Sequence, residues 1–246
     1  MLKELEDYNW FPRIFRRFQG DFIGSIASWF HLYRPLLPVL KDMMDNNKIV
    51  RVQDLCSGSG LPALYMQSSI SGMDCMVLSD KFPPARFADT AGLTYLQETT
   101  DVLLLQPHSG VCYTMFNSFH HFSDEEQECI IGKMAASGSS FLFAEILEPG
   151  LLPLFKVILT TTLGQLLLMP FVRPFSLLRL CFTYIIPVNL CTILYDGILS
   201  VIRSKRVSQY RLLLKGTANP GYSVIISKLK NQSGSMVYLQ GRPVTP

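Results

Sequence analysis

Two adjacent histidines, His120 and His121, and four carboxylates spread along the chain, Asp54, Asp80, Asp101 and Glu145, are the side chains with most to offer chemically. An imidazole takes up or releases a proton near neutral pH, so a histidine beside a reacting hydroxyl would act as its general base. Neighbouring residues point opposite ways, so one of the pair is expected to face a pocket, His120 in preference to His121. The other, or both, would pack or cap the loop. Asn117 would orient that loop, and Glu145, at a strand end, would hold a histidine or the substrate. No metal is expected at the pair, because histidines without an adjoining acid or cysteine motif make a poor ligand set.

The elements that must position these groups begin with Val52 to Pro62, a strand running into a glycine-bearing turn that contains Asp54, Cys56, Gly58 and Gly60. Such a turn lets a ligand lie against bare backbone. Asp80, twenty residues past Gly60 and at the end of the apolar run Cys75 to Ser79, is placed to accept hydrogen bonds from both hydroxyls of a ribose. Gly58-Ser59-Gly60-Leu61-Pro62-Ala63 fits the dinucleotide fingerprint G-x-G-x-x-A, so an NAD(P)-dependent oxidoreductase is one reading. Three features tilt the choice to S-adenosylmethionine. Asp54 would confront a pyrophosphate but suit a cation, Pro62 removes an N–H that a pyrophosphate would use, and some fifty helix-like residues precede the strand.

In order along the chain, these blocks resemble the class I S-adenosylmethionine-dependent methyltransferases. Asp54 to Gly60 is similar to the glycine-rich motif, with Cys56 where the common pattern has its first glycine, and Asp80 to the ribose-binding acid. Asp101 resembles the acid that meets the adenine amino group, and Met115 to Phe122 the motif beside the transferred methyl group. The resemblance covers residues 48 to 150, and residues 220 to 242 fit the antiparallel end of that fold. It implies a Rossmann-like α/β methyltransferase fold in a single domain, residues 1–246, with a mostly parallel sheet, an antiparallel C-terminal hairpin and helices on both faces. It also implies methyl transfer to a hydrophobic small-molecule or lipid-like acceptor. Oxygen is the expected acceptor atom, as no Asn/Asp-Pro-Pro-Tyr motif is present for nitrogen. A non-catalytic, membrane-associated binding protein with the same fold is a further reading.

The pattern outside the motifs agrees with one domain. The chain has 246 residues, 48% of them hydrophobic, enough for a large core, and a net charge of +3 too small and scattered for a nucleic-acid surface. Six cysteines without a C-x-x-C pair read as reduced buried thiols, and the charged Met1 to Asp7 segment has no secretory h-region, so a cytoplasmic protein is expected. Residues 1–47 read as a helical cap, with Phe15, Phe18, Phe22 and Ile26 on one stripe and Tyr8, Trp10, His31 and Tyr33 as lid or substrate-contacting candidates. Residues 151–202 form an apolar tract whose two uncharged sixteen-residue runs fall short of the ~20 residues of a spanning helix. They are expected to cover an apolar substrate, or to meet a membrane surface peripherally. Asp196-Gly197 reads as a turn, Ser200 to Leu214 as a basic helix, and Ser123 with Glu126 as a capping box opening a helix that ends at Gly138.

Overall fold

The computed structural model describes residues 2–47, 49, 51–71, 73, 75–84, 87, 92–217 and 220–244. Strands β1 (Arg51–Leu55), β2 (Cys75–Ser79), β3 (Leu93–Tyr95), β4 (Val111–Phe116), β5 (Ser140–Glu145), β6 (Tyr222–Asn231) and β7 (Gly234–Pro243) form one sheet in the order β3-β2-β1-β4-β5-β7-β6. The first five are parallel, and β7 runs antiparallel between β5 and β6. This is the mixed sheet expected from the sequence. Every residue of β4 and β5 is buried, as central strands covered on both faces must be. The carboxyl ends of β1, β2, β4 and β5 therefore meet along one edge, where open α/β sheets collect their ligands.

Ahead of the sheet, α1 (Arg13–Trp29) and α2 (Leu37–Asn47) form the cap, with Phe18 and Phe22 buried as the stripe predicts. α3 (Leu61–Ser69) leaves the glycine turn, and α4 (Asp124–Ser137) starts in the expected capping box, Glu126 N–H to Ser123 Oγ at 3.3 Å and Ser123 N–H to Glu126 Oε2 at 2.7 Å. The segment Phe119–His121, read as a loop, is a single 3₁₀ turn that joins β4 to this helix. The alternation of strand and helix also predicts a helix after Pro84, which falls largely on residues outside those described.

Between β5 and β6 lies a helical insertion. α5 (Leu151–Leu159) continues through a π-turn into α6 (Gln165–Leu168) and a 3₁₀ turn at Met169–Phe171, giving a run of 21 residues with mean hydropathy 1.7 and only 17% of its most apolar window buried. The two sixteen-residue runs thus understate the helix. Pro153 sits in its first turn and Pro170 in its last, where neither interrupts it. α7 (Leu177–Tyr184) and α8 (Val188–Arg203) follow at 77° to one another, then α9 (Val207–Leu213).

Asp196-Gly197 is not a turn but the middle of α8. A Cβ on Gly197 would lie 2.8 Å from Val157 Cγ1, so the glycine lets α5 and α8 close on each other, while Asp196 accepts from Leu5 N–H (2.6 Å) and Gln19 Nε2 (2.8 Å). The stretch Ser200 to Leu214 is likewise two helices, broken at residues 204–206.

Arg179, which in sequence merely divides the apolar runs, is buried. Its Nη1 lies 2.8 Å from Asp21 Oδ2, and its Nη2 donates to the carbonyls of Val172 and Pro174 at 2.6 Å. This pair ties the insertion to α1. Arg179→Ala leaves Asp21 only the more distant Arg17 (3.9 Å) and is expected to cost about 3 kcal/mol, read from urea unfolding; a loss below about 1 kcal/mol would show that apolar packing alone holds the insertion.

Candidate active site

At the end of β1 the turn is built around buried hydrogen bonds. Ser79 Oγ and Ser57 Oγ donate to the Asp54 carbonyl, at 2.8 and 3.0 Å, and Ser57 N–H donates to Ser79 O. Cys56 takes φ +54° and Gly58 φ +51°, and Gly60 caps α3 at φ +72°. The cysteine occupies the left-handed region, a conformation that disfavours any side chain with a Cβ, at the position where the resembled motif has its first glycine. α1 lies directly on this turn: a Cβ on Gly24 would stand 2.3 Å from Ser59 Oγ, so only glycine there permits the approach.

Asp54 does not reach the ligand-binding edge. It is buried, and its Oδ1 accepts from Thr114 Oγ1, its register partner on β4, at 2.6 Å. Burial raises its carboxyl to about 7, so it is not the exposed anion that the cation argument required. Because the folded value lies above the ordinary 3.8, the native state keeps a proton that the unfolded chain has lost, and stability falls as pH rises from about 4 to 7. Wild type relative to Asp54→Asn should lose stability by about 1.4 kcal/mol per pH unit in that window, measured by urea unfolding at pH 5, 6 and 7. A constant difference would contradict the burial effect.

Asp80 is the carboxylate that faces outward from the sheet edge. Its Oδ2 accepts from Gly58 N–H and its Oδ1 from Phe82 N–H, both at 2.8 Å, so glycine turn and acid form one rigid rim. Asp101 pairs with Lys81 Nζ at 2.9 Å and accepts from Leu103 N–H at 3.0 Å. Asn117, at φ +53°, donates its N–H to Ala144 O and accepts from Ile146 N–H through Oδ1.

The two histidines do not point opposite ways: their ring centres are 4.6 Å apart and both Nε2 atoms turn to Glu4, and His121, not the preferred His120, lines the cavity. His120 is buried, with Nδ1 2.5 Å from Glu145 Oε2 and Nε2 3.3 Å from Glu4 Oε1. Glu145 is itself fully buried, its Oε1 accepting from Phe119 N–H at 2.7 Å, so it holds a histidine and does not meet a substrate. His121 reaches the cavity. Its Nδ1 is 2.9 Å from Asp7 Oδ1, and its Nε2 lies 3.6 Å from Glu4 Oε2 and 3.7 Å from Glu6 Oε1. Burial opposes charge on both rings, yet the carboxylates of Glu145 and Glu4 carry His120 up to about 9, and those of Glu4, Asp7 and Glu6 hold His121 well above its ordinary range. Glu4 is the counterpart: burial favours its neutral form, and the two histidines nonetheless hold it at about 2.

Glu4, Glu6 and Asp7, together with Arg203, were not identified in the sequence. The 3₁₀ turn Leu5–Asp7 is fastened by Asp196, and by Arg16, which donates to the carbonyls of Glu6 (3.0 Å) and Tyr8 (2.9 Å) while its guanidinium lies 3.8 Å from the centre of the Phe82 ring. Arg203 Nη1 is 3.6 Å from Asp7 Oδ2, and its Nη2 donates to the His121 carbonyl. Only such long-range packing brings the first turn of the chain to β4, and no local spacing announces it.

A cavity of about 1810 Å³ joins these parts. Cys56, Gly58, Asp80, Asp101 and Asn117 line one end, Glu4, Glu6, Asp7 and His121 a wall, and Leu151, Val157 and Ile193 of the insertion another wall. Tyr33 lines it too, packed on Phe116. Trp10 and His31 do not: Trp10 is 67% exposed beside Tyr8, and His31 is exposed at φ +46° against Tyr65. Their lid role has no counterpart in this arrangement.

No family model matches the sequence, and no characterised protein matches it at the sequence level. Among solved structures, the chain is similar to the mitomycin 7-O-methyltransferase MmcR (TM-score 0.48, 14% identity, 80% of this chain and 50% of that one). It is also similar to human N-acetylserotonin methyltransferase in complex with SAM (0.48, 14%, 89% and 59%) and to TnmH (0.49, 15%, 89% and 55%). The chain spans 50–59% of the length of these structures. A likeness this distant leaves the chemistry to be read from the chain's own residues.

Proposed function

We propose that the chain is an S-adenosylmethionine-dependent methyltransferase that methylates an oxygen of a hydrophobic, lipid-like acceptor. The observation that carries this is one cavity shared by a glycine turn, a ribose-spaced carboxylate and a charged histidine wall. The fit to the cofactor rests on that rim. The backbone of Cys56 to Gly58 offers an approach free of side chains, Asp80 would accept from the ribose hydroxyls, and Asp101 and Asn117 would border the adenine and the methyl-transfer end. Once bound, the cofactor supplies a methyl group already activated by its sulfonium. A dinucleotide fits less well, because the Gly58 N–H is engaged by Asp80 and Pro62 stands in the first turn of α3.

The protein's task is then to place the acceptor and manage one proton. His121, charged at neutral pH, would hold the acceptor oxygen by donating to it. Glu6, which burial raises to about 8, would in its ionised form take the proton as the new C–O bond forms, so turnover would rise with pH toward about 8.

The acceptor class follows from the insertion. Its inner face lines the cavity, while Phe155, Leu159, Leu167 and Phe171 stand 46–65% exposed on its outside. So large a bare apolar surface favours contact with a bilayer, and a peripheral site on the cytoplasmic face would give an apolar acceptor a dry route inward. Calorimetry should find S-adenosylhomocysteine bound and NADH not, and labelled methyl groups should enter a lipid extract presented in vesicles. Binding of NADH alone would overturn the reading.

A further inference from the structure

We propose that Glu4, His120 and His121 form a binding site for a borderline divalent transition ion, zinc fitting best. Their ligand atoms all lie within 4.8 Å of one another. His120 Nε2 and Glu4 Oε1 are 3.3 Å apart, yet both are buried and neither makes a hydrogen bond. This close contact lacks the direction of a hydrogen bond, and an ion between the two atoms, taken up as the imidazole proton leaves, would satisfy both. Their spacing equals the edge of a tetrahedron around zinc with bonds of about 2.0–2.1 Å, and His121 Nε2 lies 3.6 Å from the other oxygen of Glu4.

The outer partners are already in place. Metal-bound histidines usually direct their second nitrogen to a carboxylate, which fixes the ring and its tautomer. His120 does so through Nδ1 to Glu145 (2.5 Å) and His121 through Nδ1 to Asp7 (2.9 Å), leaving both Nε2 atoms turned to Glu4. Two imidazoles with carboxylate select a zinc-like ion over magnesium or calcium, which prefer oxygen alone. The site also has an open side, since Glu4, Glu6, Asp7 and His121 line the cavity. On the methyltransferase reading, the ion would displace the His121 Nε2 proton and, in place of that imidazolium, hold the acceptor oxygen as a Lewis acid.

The test uses the full chain, stripped with a chelator, dialysed and titrated with Co²⁺ and then Zn²⁺. One equivalent of Co²⁺ should give the intense visible absorption of a four- or five-coordinate site, and Zn²⁺ should abolish it. Glu4→Gln and His121→Gln should each weaken Zn²⁺ binding at least 10-fold, with circular dichroism confirming the fold, whereas Asp101→Asn should leave it unchanged. Absence of stoichiometric binding, or binding indifferent to Glu4 and His121, would overturn the site. S-adenosylhomocysteine binding, titrated in parallel, reports on Gly58 and Asp80 separately, so failure of the metal site and failure of the cofactor reading are distinguishable.

Discussion

Asp80→Ala is expected to weaken S-adenosylhomocysteine binding by about two orders of magnitude or more while the protein stays folded. A hydrogen bond to a charged group is worth about 1.5–3 kcal/mol, and a ribose presents two hydroxyls to this carboxylate. The loss has a second component. Asp80 also receives the N–H groups of Gly58 and Phe82, so removing it frees the turn against which the cofactor would lie. These N–H groups lie at the partly exposed rim, where water can replace the carboxylate, so unfolding should shift little. Calorimetric titration of wild type and variant decides the matter: equal affinities would take the acid out of the binding site, and with it the main support for an adenosine cofactor.

The second large effect is expected at His121. His121→Ala should lower turnover by about 10²-fold, the scale for losing a group that positions the reacting atom, with cofactor affinity within a few-fold of wild type. His120→Ala should behave differently. It leaves Glu145 and Glu4 buried without their shared partner, and its main signature is destabilisation of about 3–5 kcal/mol. Parallel turnover, cofactor titration and unfolding of the two variants separate the roles. A fully active His121→Ala protein would remove that ring from the chemistry, and an equally stable His120→Ala protein would show that the inner ring does not hold the cluster together.

Much of the frame is local and therefore legible in the sequence. The alternation of apolar runs with glycine turns marks β1, β2 and β4, Ser123 with Glu126 marks the start of α4, and the two alternating segments at the end mark the β6–β7 hairpin. Each signal depends on residues within a few positions of one another, where period and capping chemistry act directly. Asp80 belongs to the same class, since a carboxylate at a strand end is fixed by the strand.

What the sequence left open concerns direction and distance. Adjacency predicts opposite directions for His120 and His121, yet the 3₁₀ turn between β4 and α4 brings both rings to Glu4, and the Glu145 carboxylate arriving from β5 fixes His120 as the inner one. Asp54 looked like a ligand-facing acid until β1–β4 register paired it with Thr114. Asp196-Gly197 has the composition of a turn, yet lies mid-helix because α5 packs against that glycine. Residues 4–7 reach the histidines from 114 positions away, held by Arg16 and Asp196. Local composition thus determined the sheet, its turns and the cofactor-spaced acid. Long-range packing alone gathered Glu4, Glu6 and Asp7 around the histidines, because the free energy that places them comes from contacts made only after the chain has closed on itself.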